Sequence, residues 1–445
     1  MRLTPMTTLK PCPTFSTVTN NKVIKPQCIT TVLQPTTKPD NLSMSEEDTR
    51  QAAKRLEKLI DKDTDHYNLS SISPIRKDKL RKRWMEYQGL SNWEGMLDPL
   101  DDNLRAEILR YGNFVEATYK SFEFDPSSPF YATCRFSKNS LFDRCGLLNS
   151  GYKVTKHLSA TSGIQLSSRV EMALSWAATR SSYIGYVAVC KDKEEIKRLG
   201  RRDVVVAFRG TTTCLEWLEN FRATLTHLPC STNFDMVKNG DGAMVQSGFL
   251  SLYTSGAGAS SKSLQQMLRD EIARILQTYG DELPISLTIT GHSLGAALAT
   301  LAAYDINNHF NPALMVTVIS FGSPRVGNWS FRQHLEKQGT RVLRIVNSDD
   351  VITKVPGFVF DDVVGKGDVH VAGLPNWIQK REEDAHRWTY AEVGKELRLC
   401  SRDSPYLTSI NVATSHHLNT YLHLVDGFVS SSCPFRATAR RFLRR

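Results

Sequence analysis

The segment Gly291-His-Ser-Leu-Gly295 constrains the fold of this chain more than any other part of it. It lies between a run rich in β-branched residues, 285–290, and a stretch of small residues, 296–304, that favours a helix. A serine at such a junction sits on a very sharp turn, and side chains two positions before and after it would clash, so both positions are glycine. The helix that follows directs its first amides towards negative charge. The segment therefore predicts a nucleophile elbow carrying Ser293.

Predicted strands and helices alternate on both sides of this junction. The strands are 183–190, 203–208, 285–290, 315–321 and 341–346, and the helices are 104–122, 263–279, 296–304 and 329–338. A charged connection between the first two strands favours an antiparallel pair. The later alternation implies a mainly parallel sheet with helices on both faces. We therefore expect an α/β chain, and the elbow indicates an α/β-hydrolase fold.

The net charge of +10 comes from the two ends of the chain. Residues 1–39 and 436–445 each carry five basic and no acidic side chains, so the part between them is close to neutral. A basic groove for nucleic acid is therefore not expected. One local run, Arg76-Lys-Asp-Lys-Leu-Arg-Lys-Arg83, allows contact with anionic lipid, although such a run is more often a solvated linker. No apolar run reaches the roughly 18 residues of a membrane span, so we expect none.

The cysteines restrict the cellular compartment. Their number, nine, is odd, and no pair has the C-x-x-C spacing. Neither a zinc site nor a framework of disulfides is therefore indicated. This usage is typical of a reducing or plastid-like compartment rather than of a secreted protein.

The first 40 residues are rich in Ser, Thr and Pro, with no acidic side chain before Asp40 and no continuous apolar stretch. This composition is typical of an organellar transit peptide rather than a secretory signal. A disordered tail has the same composition and remains an alternative. We expect a transit peptide and disordered linker over 1–55, a charged linker over 56–82, an α/β-hydrolase domain over 83–435 and a basic tail over 436–445.

An elbow serine requires a base and an orienting acid, which in α/β-hydrolases follow along the chain in the order Ser, Asp, His. Two acids, Asp349 and Asp350, come directly after a predicted strand. Three histidines lie near the end of the chain, at His416, His417 and His423. These patterns alone leave the choice open in both groups.

The serine also requires amides that stabilise an oxyanion. One is expected from the loop that follows an earlier strand, and the loop after 203–208 fits this position. Gly210 permits the turn there, and Thr211 offers both an N–H and a hydroxyl.

At this point the sequence resembles a known family. Four segments occur in the order found in the class 3 lipases: Phe208-Arg-Gly-Thr211, Gly291-His-Ser-Leu-Gly295, Phe321-Gly-Ser-Pro-Arg-Val-Gly-Asn328 and Asn347-Ser-Asp-Asp350. The ending His416-His-Leu-Asn-Thr-Tyr-Leu-His-Leu-Val-Asp-Gly427 resembles, more narrowly, the plastidial phospholipase A(1) group of plants known as "defective in anther dehiscence". The resemblance covers the chain from about residue 83 onward.

The resemblance implies a role for individual residues. The family's acid falls on Asp350 and its base on His416, the first residue of an H-x-L-x-x-Y-L-H pattern. Relatives commonly have an acid or an amide at the next position, so His417 remains an alternative base. The oxyanion amides fall on Thr211 and Leu294.

The resemblance also implies a lid over the segment 213–221, where Trp217 and Leu218 would meet a lipid surface. An apolar helix face with one Trp is more often part of a core. The lid interpretation therefore rests only on the position of this segment after the oxyanion loop.

The activity that the resemblance implies is sn-1 cleavage of phosphatidylcholine and plastid galactolipids through an acyl-serine. Linolenate released in this way would supply jasmonate synthesis. The reaction requires no metal and no cofactor, and its partner is membrane lipid at a bilayer surface. Two alternatives remain: a triacylglycerol or monoacylglycerol lipase, and a lipase-like signalling scaffold without catalysis.

Overall fold

The computed structural model describes residues 80–161, 181–211, 224–228, 242–257, 261–280, 283–310, 314–356, 389–407 and 411–432. The predicted transit peptide, most of the predicted charged linker, the predicted lid residues Trp217 and Leu218 and the predicted basic tail lie outside these residues. No helix within the described ranges is long and apolar enough to cross a membrane.

The described strands and helices are bounded as follows. The strands are β1 (Tyr152–Ala160), β2 (Ser182–Cys190), β3 (Arg202–Phe208), β4 (Leu225–His227), β5 (Met244–Gln246), β6 (Ile285–His292), β7 (Met315–Phe321), β8 (Gly327–Asn328), β9 (Arg341–Asn347), β10 (Tyr390–Ala391) and β11 (Lys395–Leu399). The α-helices are α1 (Trp84–Tyr87), α2 (Asp102–Lys120), α3 (Leu141–Arg144), α4 (Lys193–Leu199), α5 (Ser247–Thr254), α6 (Leu264–Tyr279), α7 (Leu294–His309), α8 (Trp329–Lys337), α9 (Val412–His416) and α10 (Leu418–Gly427). Short 3-10 helices cover Leu148–Ser150, Val351–Lys354 and Ser401–Asp403.

The main sheet has the strand order β1-β2-β3-β6-β7-β9-β11. β1 and β2 pair in antiparallel fashion, as do β2 and β3, whereas every neighbouring pair from β3 to β11 is parallel. The expected α/β fold with a mainly parallel sheet and an antiparallel first pair is therefore confirmed. A smaller antiparallel sheet has the order β10-β8-β5-β4. The carboxyl ends of the parallel strands share one edge, which is where sheets of this kind bind ligands.

Both faces of the main sheet are buried. In β3, Val205 and Ala207 belong to a core that includes apolar residues of α2 and α10. Val204 and Val206 point the other way, into a core shared with α5, α6 and α7. Successive strand residues face opposite sides, so a strand covered on both faces must be apolar throughout. This explains the continuous apolar run of β3.

Local sequence determines several helix ends. Ser263 caps α6, and its side chain and that of Gln266 form a reciprocal capping box. Asp101 caps α2 by accepting from the amide of Asn103 at 2.8 Å. The predicted helical pattern extends to Phe122, but α2 ends at Lys120, and Phe122 instead forms an isolated antiparallel bridge with Cys134.

A group of buried charges joins α2 to β3 and β6 on the side away from the carboxyl ends. Arg110 lies 2.6 Å from Glu107 and 3.3 Å from Asp203, while Arg201 lies 3.3 Å from Glu107. Ser286 donates to Asp203 at 2.6 Å. Two cations therefore face two carboxylates. Burial alone would raise the pKa of Glu107, but Arg110 and Arg201 hold that pKa at about 2.

We expect Glu107→Gln to destabilise the protein by about 3 kcal/mol at neutral pH, because it leaves buried arginines short of one counter-charge. The folded pKa of Glu107, about 2, lies below its ordinary value of 4.5. The contribution of Glu107 to the free energy of unfolding is therefore present above pH 4.5 and is lost as the pH falls towards 2. Denaturant unfolding of wild type and variant across this range should give a flatter acid dependence for the variant.

The matched control is Glu116→Gln on the same helix. Glu116 pairs with Lys120 at 3.1 Å near the surface, where such pairs contribute about 0 to 1 kcal/mol. Equal losses in the two variants would contradict a special role for the buried group.

Candidate active site

Ser293 lies on a strained turn between β6 and α7. Its φ of 58° and ψ of −125° are rare for a residue with a side chain. A Cβ on Gly291 would lie 2.3 Å from the carbonyl carbon of Gly295, and a Cβ on Gly295 would lie 2.5 Å from the carbonyl oxygen of Arg209. Both glycines are therefore required by contact, as the sharp turn predicts.

His416 and Asp350 meet in a buried contact. Nδ1 of His416 lies 2.6 Å from Oδ2 of Asp350, which is fully buried. The other carboxylate oxygen accepts from the amide of Ile352 at 2.9 Å, and Tyr421 donates its hydroxyl to Oδ2 at 2.5 Å. Because a carboxylate only accepts, Nδ1 carries a proton, and Nε2 is the nitrogen that can take one from a serine.

Asn347 fixes the helix that carries His416. Its Nδ2 donates to the carbonyl of Ser415 at 2.8 Å and to Oγ of Ser401 at 2.6 Å, while its Oδ1 accepts from the amide of Ser401 at 3.1 Å. The end of β9 is thereby tied both to α9 and to the segment after β11. The position of the imidazole depends on this amide as well as on Asp350.

The alternative acid and base lie in different surroundings. Oδ2 of Asp349 accepts from the amide of Ser401 at 3.1 Å, and its carboxylate pairs with Arg402 at 3.0 Å. The ring of His417 has no hydrogen bond to a carboxylate within the described ranges, and His423 contacts Oγ of Ser404 at 2.8 Å. The geometry therefore favours the acid and base that the family resemblance implies.

His292, directly before the serine, links two parts of the site. Its Nε2 lies 2.7 Å from the carbonyl oxygen of His416, so Nε2 donates and Nδ1 must accept. The hydroxyl of Tyr119, 2.7 Å from Nδ1, is then the donor, and it accepts in turn from the amide of Gly210 at 2.8 Å. Burial lowers the pKa of His292 well below its ordinary value, and His416 lowers it further, so this ring is neutral.

The predicted oxyanion amides belong to backbone segments that approach the serine. Leu294 is the first residue of α7, where helical amides have no intrahelical partner. A Cβ on Gly210 would lie 2.9 Å from Cβ of Ser293, so the loop carrying Thr211 packs against the predicted nucleophile. Oγ1 of Thr211 is buried with no hydrogen-bond partner in the described part of the chain.

Four residues of this site were not predicted: Tyr119, His292, Asn347 and Tyr421. Three of them, His292, Asn347 and Tyr421, lie within motifs that carry the family resemblance. Their place in those motifs was therefore a signal of a role at the site. Tyr119 lies 173 residues from His292 along the chain, in a helix with no motif of its own. Only the fold brings Tyr119 to the site.

The residues lie at strand ends in the order of an α/β-hydrolase. Ser293 follows β6, Asp350 follows β9 and His416 comes after β11, and these three strands are parallel. The expected α/β-hydrolase fold is thus confirmed by both topology and order.

Comparisons with known proteins agree with this arrangement. The family described as Lipase (class 3) matches residues 205–360. The Arabidopsis thaliana protein "Phospholipase A(1) DAD1, chloroplastic" is 68% identical over 369 residues, which are 82% of this chain and 81% of that protein. Two others from the same plant are "Phospholipase A1-Igamma1, chloroplastic", 37% identical over 81% of this chain and 72% of its own length, and "Galactolipase DONGLE, chloroplastic", 39% identical over 78% and 70%.

The first of these relatives is similar over most of both chains, so the expected family is confirmed. The elbow, the ordered site and this similarity lead to one conclusion: the chain belongs to the class 3 lipases, in their phospholipase A(1) group, and is a carboxylic ester hydrolase.

Proposed function

We propose that this chain releases the sn-1 fatty acid of membrane phospholipids, with Ser293 as nucleophile, His416 as base and Asp350 as orienting acid. The observation that carries the proposal is the buried contact of 2.6 Å between Nδ1 of His416 and Oδ2 of Asp350, at the sheet edge where the elbow also lies. The relative that is 68% identical bears the name phospholipase A(1), which supports this class of substrate.

In the first half of the reaction, Oγ of Ser293 attacks the ester carbonyl carbon and its proton passes to Nε2 of His416. The amides of Thr211 and Leu294 donate to the tetrahedral oxyanion. The carbon–oxygen bond to glycerol then breaks, and His416 returns the proton to the departing oxygen. The products of this half are a lysolipid and an acyl-serine.

In the second half, water attacks the acyl-serine and gives a proton to Nε2 of His416. The intermediate collapses, the proton returns to Oγ of Ser293 and the fatty acid leaves. Asp350 holds the imidazole through Nδ1 while Nε2 gains and loses the proton. The hydroxyl of Tyr421 and the amide of Ile352 support that carboxylate at 2.5 and 2.9 Å.

We also propose action in plastids, on galactolipids as well as phospholipids, with linolenate passing to jasmonate synthesis. The names of relatives, one a galactolipase and all three chloroplastic, support the compartment and the second lipid class. The Ser- and Thr-rich start of the chain supports import. A reporter fused to residues 1–55 that remained uncut in the cytosol would contradict the import proposal.

The first expected outcome concerns the substrate. Wild-type protein is incubated with phosphatidylcholine, galactolipid and triacylglycerol that carry different acyl chains at sn-1 and sn-2, and the released acids are identified by mass. We expect the sn-1 acid of the membrane lipids, and none from Ser293→Ala. Release from triacylglycerol alone would favour a neutral-lipid lipase, and no release from any lipid would favour a non-catalytic scaffold.

The second expected outcome concerns the base. His416→Ala should lower kcat by a factor on the order of 10⁶ because the serine keeps its proton, and adding Ser293→Ala should cost little more, since the triad acts as a unit. His417→Ala, the matched control on the neighbouring residue, should change kcat only a few-fold. An inactive His417→Ala beside an active His416→Ala would assign the base to His417.

The third expected outcome concerns the lid, which stays a prediction because Trp217 and Leu218 lie outside the described residues. An opening flap exposes apolar surface, which is favourable at a bilayer and costly in water. Replacing both residues by Ser should therefore slow hydrolysis of vesicle lipid more than hydrolysis of a soluble short-chain ester. Equal losses on the two substrates would place these side chains in the core.

A further inference from the structure

Arg209 stands in the motif Phe208-Arg-Gly-Thr211, and it takes no part in the proposed transfer of protons or of the acyl group. Its side chain is buried, and no carboxylate pairs with it in the described ranges. Nε donates to the carbonyl of Tyr183 at 2.8 Å, and Nη2 donates to Oγ of Ser182 at 2.9 Å. The guanidinium also lies 3.8 Å from the centre of the Phe122 ring. This cation is thus held by neutral groups.

A buried charge without a counter-charge is costly. Burial lowers the pKa of Arg209 to about 10, which leaves the guanidinium charged at neutral pH. Such a cost is typical of positions where a charge serves the chemistry. We therefore expect a neighbouring group whose properties the guanidinium charge changes.

That group is the peptide between Gly210 and Thr211. Nη1 of Arg209 donates to the carbonyl of Gly210 at 2.8 Å. In a trans peptide the C=O and the following N–H point in opposite directions, so this bond aims the amide of Thr211 away from the guanidinium. The preceding peptide is fixed as well, since the amide of Gly210 donates to Tyr119 at 2.8 Å.

We propose that Arg209 is a positioning residue that orients and polarises the Thr211 amide as an oxyanion donor. A cation bonded to the peptide oxygen draws electron density from the N–H and strengthens it as a donor. Buried in a medium of low dielectric, the same charge also favours the oxyanion through space. The inference rests on the proposed serine-ester mechanism and adds to it the residue that prepares one donor.

The test compares wild type, Arg209→Lys and Arg209→Gln on a soluble short-chain ester, with the rate expressed per active site titrated by a burst of acyl-enzyme. The second readout is affinity for an alkyl trifluoromethyl ketone, whose adduct with Ser293 carries an oxyanion. We expect kcat and ketone affinity to fall together, by about 10²-fold in Arg209→Gln, as for loss of an oxyanion donor, and by less in Arg209→Lys. KM should stay within about threefold, because ground-state binding does not use the oxyanion.

The matched control is Arg202→Gln, at the opposite end of β3. Arg202 is also buried, donates to the carbonyl of Cys190 at 3.1 Å and lies over the Tyr279 ring at 4.3 Å. The Arg202→Gln variant should lose thermal stability, as Arg209→Gln does, but should keep the wild-type kcat per active site. If kcat per active site falls equally in Arg202→Gln and Arg209→Gln, Arg209 has only a structural role.

Other results would also overturn the proposal: equal losses in Arg209→Lys and Arg209→Gln, or a fall in kcat without a fall in ketone affinity. If Arg209→Gln does not fold, Arg209→Lys is tested instead, with kcat and ketone affinity as the two readouts. Its ammonium cannot reproduce the three divergent hydrogen bonds of the guanidinium, so both values should fall. An unchanged kcat in that variant would exclude the role. Absence of any acyl-enzyme burst or ketone binding in wild type would instead contradict the proposed function.

Discussion

The structure depends above all on the close contact between the loop after β3 and the turn after β6. A Cβ on Gly295 would lie 2.5 Å from the carbonyl oxygen of Arg209, and a Cβ on Gly210 would lie 2.9 Å from that of His292. No side chain fits between the two segments, so their backbones define the space beside Ser293. This closeness is what the proposed oxyanion donors require, since they are amides from two elements far apart in sequence. The strained φ of Ser293 is the cost of that approach.

Neutral hydrogen-bonding groups link the loop after β3 to the segment that carries His416. Tyr119, His292 and the carbonyl of His416 form one chain of hydrogen bonds that starts at the amide of Gly210. The loop proposed to bind the oxyanion and the proposed base are therefore positioned by the same buried network. Tyr421 completes it at Asp350. Burial holds the pKa of His292 well below its ordinary value and that of Tyr421 well above its ordinary value, so both rings are neutral near neutral pH and act by fixing geometry.

Local patterns predicted the parts of the molecule that local physics determines. The elbow, the strand β6 and the helix α7 follow from glycine spacing and from β-branched and small residues. Local patterns could not distinguish Asp349 from Asp350 as the orienting acid, because the surroundings of each carboxylate depend on how the chain turns after β9 towards Ser401. β11 was missed for a related reason. Charged residues alternate with Leu in this edge strand, and the pairing partner β9 is distant in sequence.

Buried charges are treated differently at the two ends of β3. At its amino end, Arg110 and Arg201 face Glu107 and Asp203, so two cations meet two carboxylates. Such pairing limits the cost of burial, because each ion loses its hydration but gains attraction to an oppositely charged partner. At the carboxyl end, Arg209 is bound only by carbonyls, a hydroxyl and a ring within the described residues. A carboxylate there would satisfy the cation better, but it would also repel the oxyanion that we propose forms beside Thr211. The absence of such a carboxylate among the described residues therefore agrees with the proposed site, which must receive negative charge during the reaction.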